Sequence, residues 1–452
     1  MSKSLFSDFE GVSSKAWKQK IQVDLKGADY NNNLIWKTNE GIDVKPFYHA
    51  DEFKAISNNP NSKAQDWKIC QTIVVDKAEE ANAQAIEAIN RGAEAILFTM
   101  PSESIPSEVL LKTIVLDKVS VDIQCNFLSI PFSRSFNQKN VYVQNDIIGH
   151  LAKTGNWHNN LKEDYDQFEI IVKENNQLCI NLDLYQNAGA NIVQQLAYGL
   201  AHTNEYLNHF EKILDNDKKQ TLEITFNVAI GSNYFFEIAK LRALRNLWAT
   251  LASEYGFNIS CRIKATPSKR NKTIYDYNVN MLRTTTESMS AVLGGADVVY
   301  NLPYDALYHD ANEFGDRISR NQLLILKNES YFDKVNNPAD GSYYIEYLTL
   351  KLSEKALELF KDIENNGGFL SQLKEGTIQR KIKESASKEQ SQFDTEQLIL
   401  LGTNKHPNPA DRMKNELEKS PFLRIDKRKT LIEPIIAVRL SEKLEINRLK
   451  NE

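Results

Sequence analysis

Cysteine is scarce in this 452-residue sequence: four in all, Cys70, Cys125, Cys179 and Cys261, far apart and without paired spacing. Each sits in or beside an apolar stretch, which argues against a disulfide framework and predicts reduced thiols in a reducing cytoplasm. Long hydrophobic runs are also missing. None approaches the ~20 residues a membrane-spanning helix needs, and the first ten residues, MSKSLFSDFE, have neither the apolar centre of a secretory signal nor the arginines of a transit peptide. Basic charge is not in excess either. Lys and Arg total 55 against 60 for Asp and Glu, a formal net charge of −5, so no basic stripe is available for a phosphate backbone. Neither a membrane nor a nucleic acid is an expected partner.

Catalytic signatures are just as thin. The seven histidines, His49, His150, His158, His202, His209, His309 and His406, form no H-x-H or HExxH pattern. His202 and His209 fall on one predicted helix with Glu205, but two ligands two turns apart reach a common ion poorly, so an exposed helix face is the expected reading. There is no P-loop and no G-x-S-x-G elbow, and Gly294-Gly295 reads as a helix stop rather than a phosphate loop. The basic cluster Lys427, Arg428, Lys429 reads as a solvated helix face. No residue is nominated as catalytic, cofactor-binding or metal-ligating.

What the sequence does hold is enough apolar residues (41%) to fill a large core, and a regular alternation. Residues 1–65 read as an extended arm. Ser13 or Ser14 could cap a short helix around Trp17, turns fall near Asn31-Asn32-Asn33 and Asn58-Asn59-Pro60, and large apolar residues are scattered throughout (Phe6, Phe9, Trp17, Leu34, Trp36, Phe47, Tyr48). Such a segment wraps another surface, its own barrel or a second chain. From about 66 to 340, β-branched runs at 69–75, 95–98, 178–182, 222–228, 259–263 and 297–301 alternate with helical patterns at 81–91, 191–214, 232–255 and 273–293. This spacing predicts parallel strands with right-handed crossovers. The number of units and the lack of a dinucleotide fingerprint favour a TIM (β/α)8 barrel over an open sheet. Residues 341–452 read as a helical C-terminal extension, with a long amphipathic helix at 343–361 broken at Asn365-Asn366-Gly367-Gly368.

Five segments, in order, resemble the cobalamin-dependent methylmalonyl-CoA mutase family. Residues 40–48 (EGIDVKPFY) are similar to its EGI-x-VKPLY segment and 186–190 (QNAGA) to its QEAGA turn. Residues 230–248 (IGSNYFFEIAKLRALRNLW) follow IGMNFFMEIAKLRAARxLW almost residue for residue. Residues 277–295 (YNVNMLRTTTESMSAVLGG) and the stretch from 317 (RISRNQLLILKNES, then NNPADGSYYIE) complete the set. The resemblance implies a TIM barrel. In catalytic members the barrel threads coenzyme A down its axis under a C-terminal cobalamin-binding domain, and adenosylcobalamin homolysis starts the radical isomerisation of methylmalonyl-CoA to succinyl-CoA.

Three departures bear on function. No histidine here has the aspartate two residues before it that the family's cobalt-ligating D-x-H-x-x-G motif requires, so no cobalamin-binding domain is expected. Leu184 stands where catalytic chains carry a histidine that polarises the thioester carbonyl, which leucine cannot do. The substrate-lining RTHSQTSGWSLT segment reads RIKATPSKRNKTIYD at 262–276. These changes suggest a barrel that keeps its helix-packing residues and gives up its inner polar ones. The resemblance then implies the small, non-catalytic chain of a two-chain mutase, with no cofactor of its own and the large catalytic subunit, carrying adenosylcobalamin, as partner. A barrel-only catalytic chain using a separate cobalamin-binding subunit is an alternative. A barrel turned to binding or regulation is another, with Lys269, Arg270 and Lys272 placed to meet a phosphate or, more blandly, solvent.

Overall fold

The computed structural model describes residues 10–53, 66–257, 259–423 and 428–452. Eight parallel strands form its centre: strand 1 Lys68–Val74, strand 2 Ala95–Met100, strand 3 Ser120–Cys125, strand 4 Val141–Gln144, strand 5 Gln177–Asn181, strand 6 Glu223–Ile230, strand 7 Cys261–Pro267 and strand 8 Val298–Tyr300. They pair in the order 4-3-2-1-8-7-6-5. Strand 8 is hydrogen-bonded to strand 1, and the sheet closes between strands 4 and 5. There the Gln177 side chain bridges the seam, donating to the Val141 carbonyl (2.8 Å) and accepting from the Val143 N–H (3.1 Å). This is the expected TIM barrel.

Alternation along the strands sorts the side chains. Ile96, Phe98, Val121, Ile123 and Val143 face outward and pack with Ala81, Ala85 and Ala88 of helix Ala78–Asn90. Ile180, Ile224, Phe226 and Ile263 do the same under helices Ile192–Phe210, Tyr234–Glu254 and Tyr343–Asn365. Each helix starts where local chemistry allows it. Asn191 opens helix Ile192–Phe210 with a capping box, its side chain accepting from the Gln194 N–H while the Gln194 side chain accepts from the Asn191 N–H. Gly189, just before it, has φ +101°, and a Cβ there would meet Ala386 at 2.5 Å. The tight turn after strand 5 therefore needs glycine. None of the helices among the described residues is long and apolar enough to cross a membrane.

The arm lies largely on its own barrel. Ser13 caps helix Ser14–Asp24, its side chain accepting from the Ala16 N–H. A two-strand hairpin (Trp36–Lys37 with Asp43–Val44) then buries Ile42 and Val44 in the main core. Tyr48 stacks on Tyr344 (5.4 Å) and Phe53 on Tyr343 (5.2 Å). Trp17, stacked on Phe47, and Trp36, edge-on to Phe236, remain about half exposed (44% and 51%). Phe6, Phe9 and the turn at Asn58-Asn59-Pro60 lie outside the described residues.

Beyond the barrel, helices Phe369–Lys374, Thr377–Asp394 and Glu442–Lys450 bracket an irregular stretch. This stretch runs as a strap along the strand-helix loops. Backbone N–H groups of Leu431 and Ile432 reach the Gly155 carbonyl, Ile435 reaches Ala152, Val438 reaches Asn187, Leu440 reaches Arg270, and Glu418 and Lys419 reach Tyr308. The periodic Leu and Ile residues of the strap thus serve docking, and its backbone hydrogen bonds go to the loops rather than to a helix of its own. Arg428 and Lys429 accordingly sit exposed on irregular chain, not on a helix face, with Arg428 donating to the Thr154 carbonyl. Lys427 lies outside the described residues.

Candidate functional site

The C-terminal ends of the strands, where barrels of this kind place their chemistry, enclose a cavity of about 950 Å³. Its floor is Gln71, Leu97, Gln144, Asn181, Thr266 and Tyr300, and Leu184 lies on its wall, half-buried against the main core. An alkyl group therefore faces the cavity at the position the resemblance gives to a carbonyl-polarising histidine.

Beneath the floor the barrel is crossed by an ion pair. Asp122 on strand 3 and Arg262 on strand 7 belong to diametrically opposite strands, and two parallel hydrogen bonds join them, Nη1 to Oδ1 at 2.7 Å and Nη2 to Oδ2 at 2.8 Å. Gln144 donates to Asp122 (2.9 Å), and Asn227 donates to Gln144 (3.2 Å) and Asn181 (2.6 Å). The Arg262 guanidinium also stacks 4.1 Å over the Tyr142 ring. Burial disfavours a charge on Asp122, but Arg262 and Lys264 beside it, with the bonds from Arg262 and Gln144, outweigh that and hold its carboxyl down to about 2. The interior has thus not lost its polar residues, as the sequence suggested. It holds polar residues that bond to one another across the lumen.

Next to this crossbar stands Lys264, 2% exposed, its ammonium 5.8 Å over the Tyr300 ring. The other two fully buried lysines are saturated. Lys240 donates to Gln186, Gln195 and the Ala229 carbonyl and pairs with Glu237. Lys272 donates to Ser268, Asn271 and both oxygens of Glu287. No described residue accepts a hydrogen bond from Lys264 Nζ.

The other charged groups fall into two sets. The basic groups Lys153, Lys269, Lys419, His150 and His158 line the cavity together with the carboxylates Asp76, Asp183, Asp305, Asp310 and, from helix Glu313–Leu324, Asp316. His150 and His158 are stacked 3.6 Å apart, and burial and then its neighbour His158 push the His150 imidazole down to about 4. Burial raises the Asp316 carboxyl to about 6. Asp146, at the end of strand 4, is fully engaged. One oxygen accepts from Tyr206 (2.7 Å) and the Gly149 N–H (2.8 Å), the other from the Asn181 N–H (2.9 Å) and side chain (3.0 Å).

Several sequence expectations are corrected here. His202 is not on an exposed face. It is fully buried, with Nε2 2.9 Å from Asp146 and Nδ1 2.9 Å from the Tyr185 hydroxyl. Its helix packs that face against the barrel, so the residue orients a core carboxylate. His209 is partly buried, 3.6 Å from Glu169. Arg270 and Lys272 do not face solvent either: Arg270 holds Glu389 (2.6 Å) and the Val438 carbonyl (2.7 Å), and Lys272 is spent on Glu287, which leaves Lys269 alone at the cavity. Among the described residues no group of three or more His, Cys, Asp or Glu could hold a metal ion. The crossbar and Lys264 escaped sequence reading. The available signal was charge at alternate positions of a strand, Arg262 and Lys264, where a lumen normally takes apolar side chains.

Fold and cavity together define a (β/α)8-barrel protein built on an enzyme plan, with its open space at the catalytic end of the strands. Within that class, the chain belongs to the methylmalonyl-CoA mutase family, whose sequence model matches residues 106–441. It is 35% identical to the "Methylmalonyl-CoA mutase small subunit" of Porphyromonas gingivalis over 89% of this chain and 71% of that protein. It is 28% identical to the "Methylmalonyl-CoA mutase" of Rhizobium meliloti over 94% and 66%, and 27% identical to the mitochondrial enzyme of Homo sapiens over 86% and 60%. The chain thus spans roughly two thirds of the length of these relatives. The matched region includes the strap.

Proposed function

We propose that this chain is the small, non-catalytic subunit of a two-chain, adenosylcobalamin-dependent methylmalonyl-CoA mutase, acting in the cytoplasm to hold the large catalytic subunit in its working form. The Asp122–Arg262 crossbar carries the reading. A catalytic barrel of this family must pass the coenzyme A arm along its axis, and here one bidentate pair of hydrogen bonds between two charged side chains spans that axis. Opening the crossbar would leave buried ions unpaired, at a cost of about 3–5 kcal/mol. Leu184 supports the same conclusion, since it offers no donor to a thioester carbonyl.

The residues at the mouth do not suit cobalamin. His150 and His158 are stacked on each other, and His309, although its Nδ1 meets Asp305 (3.2 Å), lacks the D-x-H-x-x-G setting of the family's cobalt ligand. The cofactor is assigned to the partner. The arm supports a partner role by keeping Trp17 and Trp36 half exposed on a folded base, the kind of aromatic anchor that interfaces use. A domain division at about 65 and 340 fits this role, with arm, barrel and extension all in contact.

The test is to co-produce the chain with its large subunit after replacing the large subunit's carbonyl-binding histidine by alanine. Adenosylcobalamin and methylmalonyl-CoA are then supplied. A stable complex with succinyl-CoA formation cut at least about a hundredfold is expected, the usual effect of losing an electrostatic stabiliser. Near-normal turnover would place the chemistry in this chain and overturn the reading.

A further inference from the structure

A buried ammonium without an acceptor is expensive, and this molecule satisfies its other two buried lysines with three or more partners each. Lys264 is the exception. It lies one inward step below Thr266, which lines the mouth cavity, and its ammonium is close enough to Asp183 and Tyr300, both on the cavity wall, to interact with them electrostatically. Asp183 forms no ion pair with it, and burial raises the Asp183 carboxyl above its usual range, against the pull of Lys153 and Lys264. Asp122, the other nearby anion, is committed to Arg262.

Above this ammonium, Lys153, Lys269 and Lys419 edge the same side of the cavity, and none of the three ammoniums has an ion-pair or hydrogen-bond partner among the described residues. Burial, and then the charge of Lys419, push the Lys269 ammonium below its usual range, with Asp183 pulling it up and Lys153 pushing it further down.

We propose that the mouth cavity is a binding site for a small dicarboxylate, with one carboxylate entering past Thr266 and Tyr300 toward Lys264 just beneath the floor and the other among Lys153, Lys269 and Lys419 at the rim. The size is right: about 950 Å³ is ample for such a molecule. The crossbar below prevents a longer ligand from threading through, so this inference rests on the closed axis argued above. Bound there, the ligand would load strands 5, 7 and 8 and the strap, whose Lys419 and Ala437 also line the cavity, giving the subunit a way to sense a free acid.

The test uses the isolated full-length chain at low salt, with calorimetric titration of malonate and, separately, of inorganic phosphate and acetyl-CoA. Malonate is expected to bind one per chain, and Lys264→Met to weaken it by at least about tenfold, as loss of a buried charge partner does. Lys264→Met should leave the ligand-free melting temperature unchanged or raised, because it removes an unpaired charge. Asp183→Asn should tighten malonate binding, a second sign that does not depend on the first variant. No malonate binding, unchanged affinity in Lys264→Met, or phosphate binding that matches malonate and is equally indifferent to Lys264 would overturn the site, leaving surface lysines only. Acetyl-CoA binding with a one-to-one endpoint would instead overturn the closed axis, whatever malonate does.

Discussion

At the scale of single residues, Asp122 makes the clearest demand. Its folded carboxyl titrates near 2 against an ordinary 3.8, so the native state binds its proton less readily than the unfolded chain does. A depressed carboxylate stabilises the fold at any pH above the unfolded value, and that contribution is lost as pH falls through the window from about 4 to 2. At 1.36 kcal/mol per pH unit it is worth about 2 kcal/mol. Denaturant unfolding measured at pH 6, 4 and 3 should therefore show Asp122→Asn less stable than the parent at pH 6, with the difference shrinking as the pH drops. A constant difference across that range would mean the crossbar is held by shape rather than charge. Leu184 and the Ser13 cap were legible in the sequence, because each needs only a local motif. The crossbar was not, because it depends on which residues of strands 3 and 7 meet across a closed lumen, and no local pattern encodes that. His202 was misjudged for a related reason: helical spacing puts it beside His209 but does not say which face meets Asp146.

At the scale of elements, strands that form continuous β-branched or apolar runs were readable and the others were not. Strands 1, 2 and 5 to 8 announce themselves as β-branched or apolar runs. Strand 3 carries Asp122 and Gln124 inward and strand 4 is four residues long, so neither rises above a loop by pattern alone. The helix read at 273–293 begins only at Val279, because the segment before it is held irregular by Thr273 and Asn280 bonding to each other. The strap is the least predictable element, since its hydrogen bonds go to loops far away in sequence. Gly155 is its most sensitive anchor. It has φ +80°, its carbonyl accepts from both Leu431 and Ile432, and a Cβ would fall 2.7 Å from the Ile432 carbonyl and 2.8 Å from Thr430. Gly155→Ala is expected to cost about 1–3 kcal/mol through backbone strain and to lift the strap. Limited proteolysis should show new cleavage between residues 412 and 441, and parental resistance there would show that the docking does not depend on this turn.

At the scale of the whole molecule, the barrel keeps the family's helix-packing segments while charged side chains bond to one another across its lumen. Closely matched segments such as 230–248 supply helix faces and the buried Lys240–Glu237 cluster, which hold the barrel together, whereas the departures fall at the mouth and along the axis. This separation explains why restoring one catalytic group should achieve nothing. In Leu184→His an imidazole would face the cavity, but the axis below stays spanned by Asp122 and Arg262. Replacing both of these by serine as well, so that neither charge is left unpaired, opens the lumen without supplying the substrate-lining loop, since Arg270 and Lys272 remain tied to Glu389 and Glu287. Neither the single variant nor the triple variant, incubated alone with adenosylcobalamin and methylmalonyl-CoA, is expected to form succinyl-CoA above background. The triple variant alone should gain a measurable affinity for acetyl-CoA, because the obstacle along the axis is gone. Turnover by Leu184→His without a partner would mean that the crossbar yields to substrate and that this chain is a mutase lacking one side chain.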